Sequence, residues 1–277
     1  NSHGFIGSYA DSHHSLSCSV IAEQDGQMQR DYEYTVSRNA SELMSAEELG
    51  RTAGQRTVDR LGSRKLNTCT TPVVFPARLA RGLFGHLVGA ISGGALYRKS
   101  SFLLDSLGTK VLPEFISIVE QPHIPRALAS AAFDREGVAT YEHALVSAGV
   151  IESYVLASYS ARKLGMVSTG NAGGVHNLIV SHSDVDLAGL LAQMDTGLLV
   201  TELMGQGVNQ VTGDYSRGAA GFWVEKGVVQ YPVHEITIAG NLRDMFSNIV
   251  AVGNDVDFRG GIRSGSVLLN KMTVAGN

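Results

Sequence analysis

The sequence predicts an α+β fold: an antiparallel-sheet-rich C-terminal domain with a motif-bearing helix, preceded by a small sheet-plus-helix unit. Three observations predict it. Short runs in which apolar and polar residues alternate, bounded by turn residues, have the pattern of half-buried strands. A few segments instead repeat their apolar residues at helical spacing. The polar stretch Ser63 to Pro72 divides an early strand-and-helix set from everything after it, so the expected units are 1–70 and 71–277.

Residues 3–37 read as an antiparallel meander, in which Leu16, Cys18, Val20 and Ala22 alternate with polar neighbours, Gln24 to Gln27 turns, and Tyr32, Tyr34 and Val36 alternate again. The opening Asn1 to Tyr9 also reads as a strand; it begins without Met, which predicts that the first part of a longer protein is missing. Ser45 followed by Glu48 is a capping-box pattern, and Leu49, Ala53, Val58 and Leu61 give the next helix its apolar stripe before Gly62 ends it. Val73 to Phe75 is a short buried strand, and Pro76 suits the first turn of a helix running to about Ala95. Leu79, Leu83, Leu87 and Ile91 place its apolar face. Asp134 to Gly137 and Ser147 to Gly149 punctuate strands at 138–146 and 150–157, predicting a hairpin. The glycine-containing loop 168–174 leads into a strand at Val175 to Val180, and a short helix follows near Leu187 to Met194. From Gly197 onward strands and tight turns such as Glu225-Lys226-Gly227 dominate, interrupted by a helix near Leu242 to Ile249.

Hydrophobic residues at 44% and charged residues at 17% leave no room for a long disordered tail. A formal net charge of −4 and the lack of a basic run argue against direct nucleic-acid binding, which needs clustered Lys and Arg to neutralise phosphates. Cys18 and Cys69 are too few for a disulfide framework and fit a reducing cytoplasm. No run of roughly 18 apolar residues suggests a membrane span, and no signal pattern opens the chain. The loop 168–174 lacks the Lys-Ser/Thr ending of a P-loop and precedes a strand, so it is a poor phosphate cradle.

The segment Gly197 to Gly207, continued by Val211-Thr-Gly-Asp-Tyr-Ser-Arg-Gly-Ala-Ala-Gly-Phe-Trp-Val-Glu225, resembles the signature region of the PmbA/TldD family on its PmbA (TldE) branch. The likeness continues through Tyr231 to Asn241 and Val252 to Asp255, and upstream through Arg81 to His86 and Phe133 to Gly137. It spans nearly the whole chain, without the family's N-terminal region. The resemblance implies a cytoplasmic two-subunit zinc metallopeptidase in which TldD carries the metal. Its implied substrates are small or unfolded peptides, including a microcin precursor and an antitoxin, and its members have been called modulators of DNA gyrase.

The TldD branch, by the same resemblance, carries His-Glu-x-x-x-His on the helix and a cysteine near the C-terminus. Zinc hydrolysis needs about three protein ligands around an open position, and a carboxylate to take a proton from the metal-bound water. Aligned on Gly85-His86, this chain has Arg81 at the first His, Gly82 at the Glu and His86 at the second His, while Ser264 stands for the cysteine. A guanidinium repels a divalent cation, and a neutral hydroxyl is a poor zinc ligand. No catalytic residue, metal ligand or cofactor is therefore expected in this chain, and zinc is expected in a TldD-type partner.

His86 is then expected to be a hydrogen-bonded core or cleft histidine. Adjacent His13 and His14 point to opposite faces of a strand, and His176 follows Gly173-Gly174 and orders that loop. Asp134 and Glu136 either form their turn or line a shared groove. Glu202, Asp214 and Arg217 are candidates for positioning a sheet edge against a partner or peptide. The glycines at 205, 207, 213, 218 and 221 imply close backbone approach, in a peptide groove formed by strand addition or in a tightly bent sheet.

The leading expectation is a metal-free subunit that completes the substrate groove of a TldD-type heterodimer, with a homodimer available when the partner is missing. One alternative is a metallopeptidase in its own right. Another is a non-enzymatic binding module acting on DNA gyrase or an antitoxin.

Overall fold

The computed structural model describes residues 1–276. The chain opens with an extended strap rather than a strand: Ile6 is 96% exposed, while Phe5 and Tyr9 set their rings edge-on to Phe133 at 5.1 and 5.4 Å. Without a neighbouring strand to pair with, alternation alone cannot hold this segment in a sheet. The expected meander is accordingly a two-stranded hairpin, β1 (His14–Gln24) and β2 (Gln27–Ser37). Its turn residues Asp25 and Gly26 take φ of 52° and 77°, the left-handed pair that matches the twist of adjoining strands.

Helix α1 (Ala46–Asp59) covers the hairpin. Ser45 caps it by accepting from the Glu48 N–H at 3.2 Å. Leu49 and Ala53 are buried as expected, but the third inward position is Thr57, whose hydroxyl donates to the Ala53 carbonyl at 2.7 Å. Val58 is left 54% exposed, because the helical repeat places 49, 53 and 57 in line.

Strand β3 (Cys69–Phe75) begins earlier than expected. It tolerates Pro72 because its partner shifts register between Leu269 and Met272, opposite the missing N–H. Helix α2 (Ala77–Ala90) buries Ala77, Ala80, Leu83, Phe84, Leu87 and Ala90. It stops short of Ala95 because the Ser92 hydroxyl donates to the Gly89 carbonyl and caps a separate helix, α3 (Gly93–Tyr97).

Strands β4 (Ile118–Glu120), β5 (His143–Ser147) and β6 (Val150–Ile151) come next. The expected hairpin is much shorter than 138–157, with two residue pairs across the Ala148-Gly149 turn. The following residues leave the sheet to bridge Ser92 and start α4 (Ser158–Leu164). Then come β7 (Leu178–Val180), α5 (Leu187–Met194), β8 (Gly197–Met204), β9 (Asp214–Glu225), β10 (Val228–Asn241), α6 (Leu242–Ser247), β11 (Ile249–Val252), β12 (Ile262–Arg263) and β13 (Val267–Ala275).

Strands β10, β9, β8, β3 and β13 follow one another in space, and β13 pairs back onto β10 through Thr237↔Ala275 to Ala239↔Thr273. The sheet thus closes into a small barrel, with β11 added to β13 and every pairing antiparallel except β3 with β8. Closure explains the glycine load. A methyl on Gly207 would overlap the Ser216 carbonyl, and one on Gly221 the Leu199 carbonyl. Gly205 and Gly213 instead take φ of 76° and 83°. A second sheet, β12-β7-β4-β5-β6, lies across α2 from the barrel. One apolar core joins them, from Phe84 and Leu87 on α2 to Val200 and Ile238 in the barrel and Ile118 and Leu178 in the second sheet. Among the described residues no helix is long and apolar enough to cross a membrane.

Candidate functional site

The outward side of α2 meets two different environments. Arg81, at its N-terminal end, turns toward the hairpin, donating to the Arg259 carbonyl at 3.4 Å and lying 6.0 Å over the Tyr34 ring. This is the edge of a buried acid–arginine layer joining hairpin, α1 and barrel. Glu33 takes Arg56 at 2.5 Å and Arg259 at 2.6 Å; Arg259 also binds Asp257 at 2.9 Å and stacks over Tyr34. Asp31 sits between Arg60 and Arg78 at 3.5 and 3.6 Å, and Arg60 also pairs with Glu202. Burial alone would raise the Glu33 carboxyl, but the Tyr34 N–H and the two guanidiniums outweigh it and hold it below the usual range. Asp257 is likewise held low, against burial, by Arg259 and Arg81.

Gly82 is exposed, with open space where a side chain would project. A side chain at this position therefore has room. In a helix interior glycine costs about 1 kcal/mol relative to alanine. Gly82→Ala should accordingly raise unfolding free energy by about that amount in urea titrations.

One turn on, His86 stands half-buried, its ring edge-on to Tyr215 at 6.0 Å and close to Arg217. Burial, assisted by the Arg217 charge, pulls the imidazole below its usual range, so it is neutral at neutral pH. Burial pushes the Tyr215 phenol up to about 12, against the opposing pull of Arg217, and it stays protonated. Gln210 reaches the same helix face, its amide nitrogen 3.1 Å from where a Cβ on Gly89 would lie.

Ser264 is fully buried, with its hydroxyl donated to the Gly265 carbonyl at 2.8 Å. Neighbouring Arg263 is nine-tenths buried over the Phe258 ring at 5.4 Å, and burial lowers its guanidinium. At the positions where the resemblance puts zinc ligands, these residues do not fit the ion: one is a cation, one a bare Cα, and the Ser264 hydroxyl is turned inward. Among the described residues no three His, Cys, Asp or Glu side chains converge to hold a metal.

The other candidates are dispersed. Buried Asp134 accepts from the N–H groups of Glu136, Val138 and Ala172, each at 2.9 Å, pinning its turn to the glycine loop. Glu136 accepts from the Ser158 N–H at the start of α4. Exposed Asp214, the first residue of β9, accepts from Thr212 just before it and from Asn241 at the end of β10, and Glu202 belongs to the acid–arginine layer. Arg217 alone of these five stands beside His86. His13 and His14 are exposed, and Cys18 and Cys69 are unpaired thiols. The imidazole of His176 meets Glu120 at 3.1 Å, and Glu120 also accepts from Asn171 at 2.9 and 3.0 Å, so the histidine does order its loop. Sequence reasoning missed Glu120, which lies in a three-residue strand, and also Gln210 and Tyr215. For Tyr215 a signal existed in its spacing, since alternation on β9 puts it on the same face as Arg217.

The architecture defines a class: a metallopeptidase-type C-terminal domain with its central unit. Residues 68–276 match the family model for the PmbA/TldA metallopeptidase C-terminal domain, and residues 1–61 match that for the central domain. The chain is 55% identical to metalloprotease PmbA of Escherichia coli O157:H7, covering 100% of this chain and 61% of that protein. It is 54% identical to a metalloprotease PmbA homolog of Haemophilus influenzae, covering 100% and 62%. A solved structure from Bacteroides thetaiotaomicron, carrying the description modulator of DNA gyrase, superposes with a TM-score of 0.95 at 30% identity, covering 100% and 63%. TldE from Thermococcus kodakarensis shares the fold, with a TM-score of 0.84 at 22% identity, covering 95% and 63%. The chain belongs to the PmbA/TldD family, on its PmbA branch. It spans less than two thirds of the length of these relatives.

Proposed function

We propose that this chain is part of a PmbA/TldE-type subunit that carries no catalytic zinc of its own. It pairs with a TldD-type subunit that does, and completes the groove in which small or unfolded peptides are cleaved. One observation carries the reading. On α2, Arg81 and Gly82 stand where the family resemblance puts a histidine and a glutamate, while the apolar face of the helix is seated in the core. A change confined to the chemistry, in an intact frame, is what a specialised non-catalytic partner retains. The unpaired Cys18 and Cys69 suit the reducing cytoplasm where such a complex would work. In this reading residues 1–70 and 71–277 are separate units, and the acid–arginine layer is their joint.

The test uses the full-length protein, purified alone and with a TldD-type subunit, measuring zinc content and hydrolysis of an unfolded peptide. Alone it should hold no stoichiometric zinc and cleave nothing; with the partner, chelator-sensitive cleavage should follow. Stoichiometric zinc in the lone protein, lost in His86→Ala, overturns the reading.

A further inference from the structure

A cavity of about 380 Å³ is lined by Asp11 and Arg38 from the strap and hairpin, and by Arg135, Gly173, Gly174 and His176 from the segments before β5 and β7. No residue of α2 lines it. Most of its charges already have partners. Asp11 pairs with Arg38 at 2.7 Å, and Arg38 also donates to the Ala127 and Leu128 carbonyls. Buried Asp134 accepts from three N–H groups. The guanidinium of exposed Arg135 has no acceptor among the described residues. Arginines lining other cavities differ from it: Arg56, Arg78, Arg126 and Arg259 each have a carboxylate at 3.6 Å or less, and Arg243 donates to the Phe102 carbonyl.

The free guanidinium is carried on a fixed frame. The Arg135 N–H donates to the Ala172 carbonyl at 3.0 Å and the Ala172 N–H donates to Asp134 at 2.9 Å, which ties turn and glycine loop at two points. Its side chain lies across Gly173, where a Cβ would stand 2.6 Å from Cδ and 2.7 Å from Nε. Gly173 and Gly174 take φ of 107° and 123°, open to glycine alone, and the Gly173 and Val175 N–H groups meet no acceptor among the described residues. Asn171 and the His176 backbone N–H both donate to the buried Glu120 carboxylate, so the His176 Nδ1 donates to it as well. Nε2 of the neutral ring is thereby left as an acceptor in a cavity otherwise furnished with donors.

A guanidinium without an acceptor selects an anion, and its planar fork matches a carboxylate. A phosphate dianion is disfavoured, because Asp11 and Asp134 line the cavity and Glu120 stands behind His176, against a single free cation. The loop N–H groups and the His176 acceptor match the carbonyl and N–H groups that an extended chain presents, as in strand addition. We infer that this cavity binds a carboxylate of an extended peptide on Arg135, from a side chain or from the chain end, with the adjoining peptide backbone held by Gly173, Val175 and His176. The inference rests on the proposed role in peptide processing and gives this subunit a peptide contact outside α2.

The full-length protein, without any TldD-type subunit, would be titrated calorimetrically with four probes. These are an acetylated and amidated alanine pentapeptide with a central glutamate, its glutamine counterpart, acetylated pentaalanine as the free acid, and inorganic phosphate. At least one carboxylate peptide should bind about ten-fold more tightly than the glutamine peptide, the fold-change a charge-assisted contact of about 1.4 kcal/mol gives. The peptide that does so identifies the carboxylate as side chain or chain end. Arg135→Gln should remove the preference and Arg135→Lys should keep part of it, while Arg162→Gln, at an exposed arginine of α4, should leave it unchanged. Equal affinity for acidic and glutamine peptides, no binding by any peptide, or a preference that survives Arg135→Gln overturns the inference. So does an equal loss in Arg162→Gln, or phosphate binding as tightly as the acidic peptide. The comparison of peptides uses the unaltered protein and does not depend on a variant folding. Because nothing is cleaved in these titrations, their failure leaves the partnership standing, and absence of cleavage with a partner leaves a positive titration standing.

Discussion

Glu33→Ala should cost about 3 kcal/mol of unfolding free energy, the lower end of the range for breaking a buried ion pair. The carboxylate side chain is 5% exposed and is shared by Arg56 and Arg259, whose own exposures of 35% and 25% place the effect at that lower end. With the carboxylate gone Arg259 keeps Asp257, but Arg56 loses its partner. A hairpin of two strands is marginal by itself and must be held by what it packs against. Here the inward face of β2 is Asp31, Glu33 and Thr35 rather than an apolar row, so ionic contacts carry much of the attachment. Urea unfolding at neutral pH measures the effect; a midpoint unchanged from the parent protein would show that α1 alone secures the hairpin.

The same carboxylates set the pH dependence. Glu33 and Asp257 are held below ordinary values of 4.5 and 3.8 when folded, so the stability they contribute is complete above those values. It is lost as the pH falls through the depressed folded values, because the unfolded chain then takes up protons first. The parent protein should lose stability steeply on acidification below about pH 4.5, and Glu33→Ala should show a shallower slope over that window.

How much of this was legible beforehand depends on how local each feature is. Helix α5 could be read to its ends, since Asp186 caps it and its apolar residues run unbroken. The β1–β2 turn was legible from Asp25-Gly26, and the helix bearing Arg81 to His86 was legible from its apolar spacing. Strand β4 has three residues, too few for any periodicity to appear. The barrel depends on β10 meeting β13 and could not be inferred from either strand alone. Glu33 meets Arg259 across 226 positions of sequence, and nothing near either residue announces the other. The surroundings of His86 were half legible: Arg217 lay in the signature segment, but Gln210 reaches Gly89 of α2 through the folding-back of a loop, a tertiary event without a local code.

Phe84→Ala should cost about 3–5 kcal/mol, as expected when a fully packed aromatic ring is removed and the surroundings cannot collapse into the space. The ring is 1% exposed in the core shared by the barrel and the second sheet. Two facing layers fix the walls of the cavity, so little relaxation is available. Chemical denaturation measures the loss, and a cost below about 1 kcal/mol would mean the layers close over the gap. The contrast with Gly82→Ala on the opposite side of α2, where a gain is expected, separates the two properties of this helix. Its inner face is constrained by packing, whereas its outer face at Gly82 has open space beside it. If both signs are observed, the position of His86 is set by the core rather than by any ligand. A side chain at position 82 would then add to stability without disturbing the packing that fixes the helix.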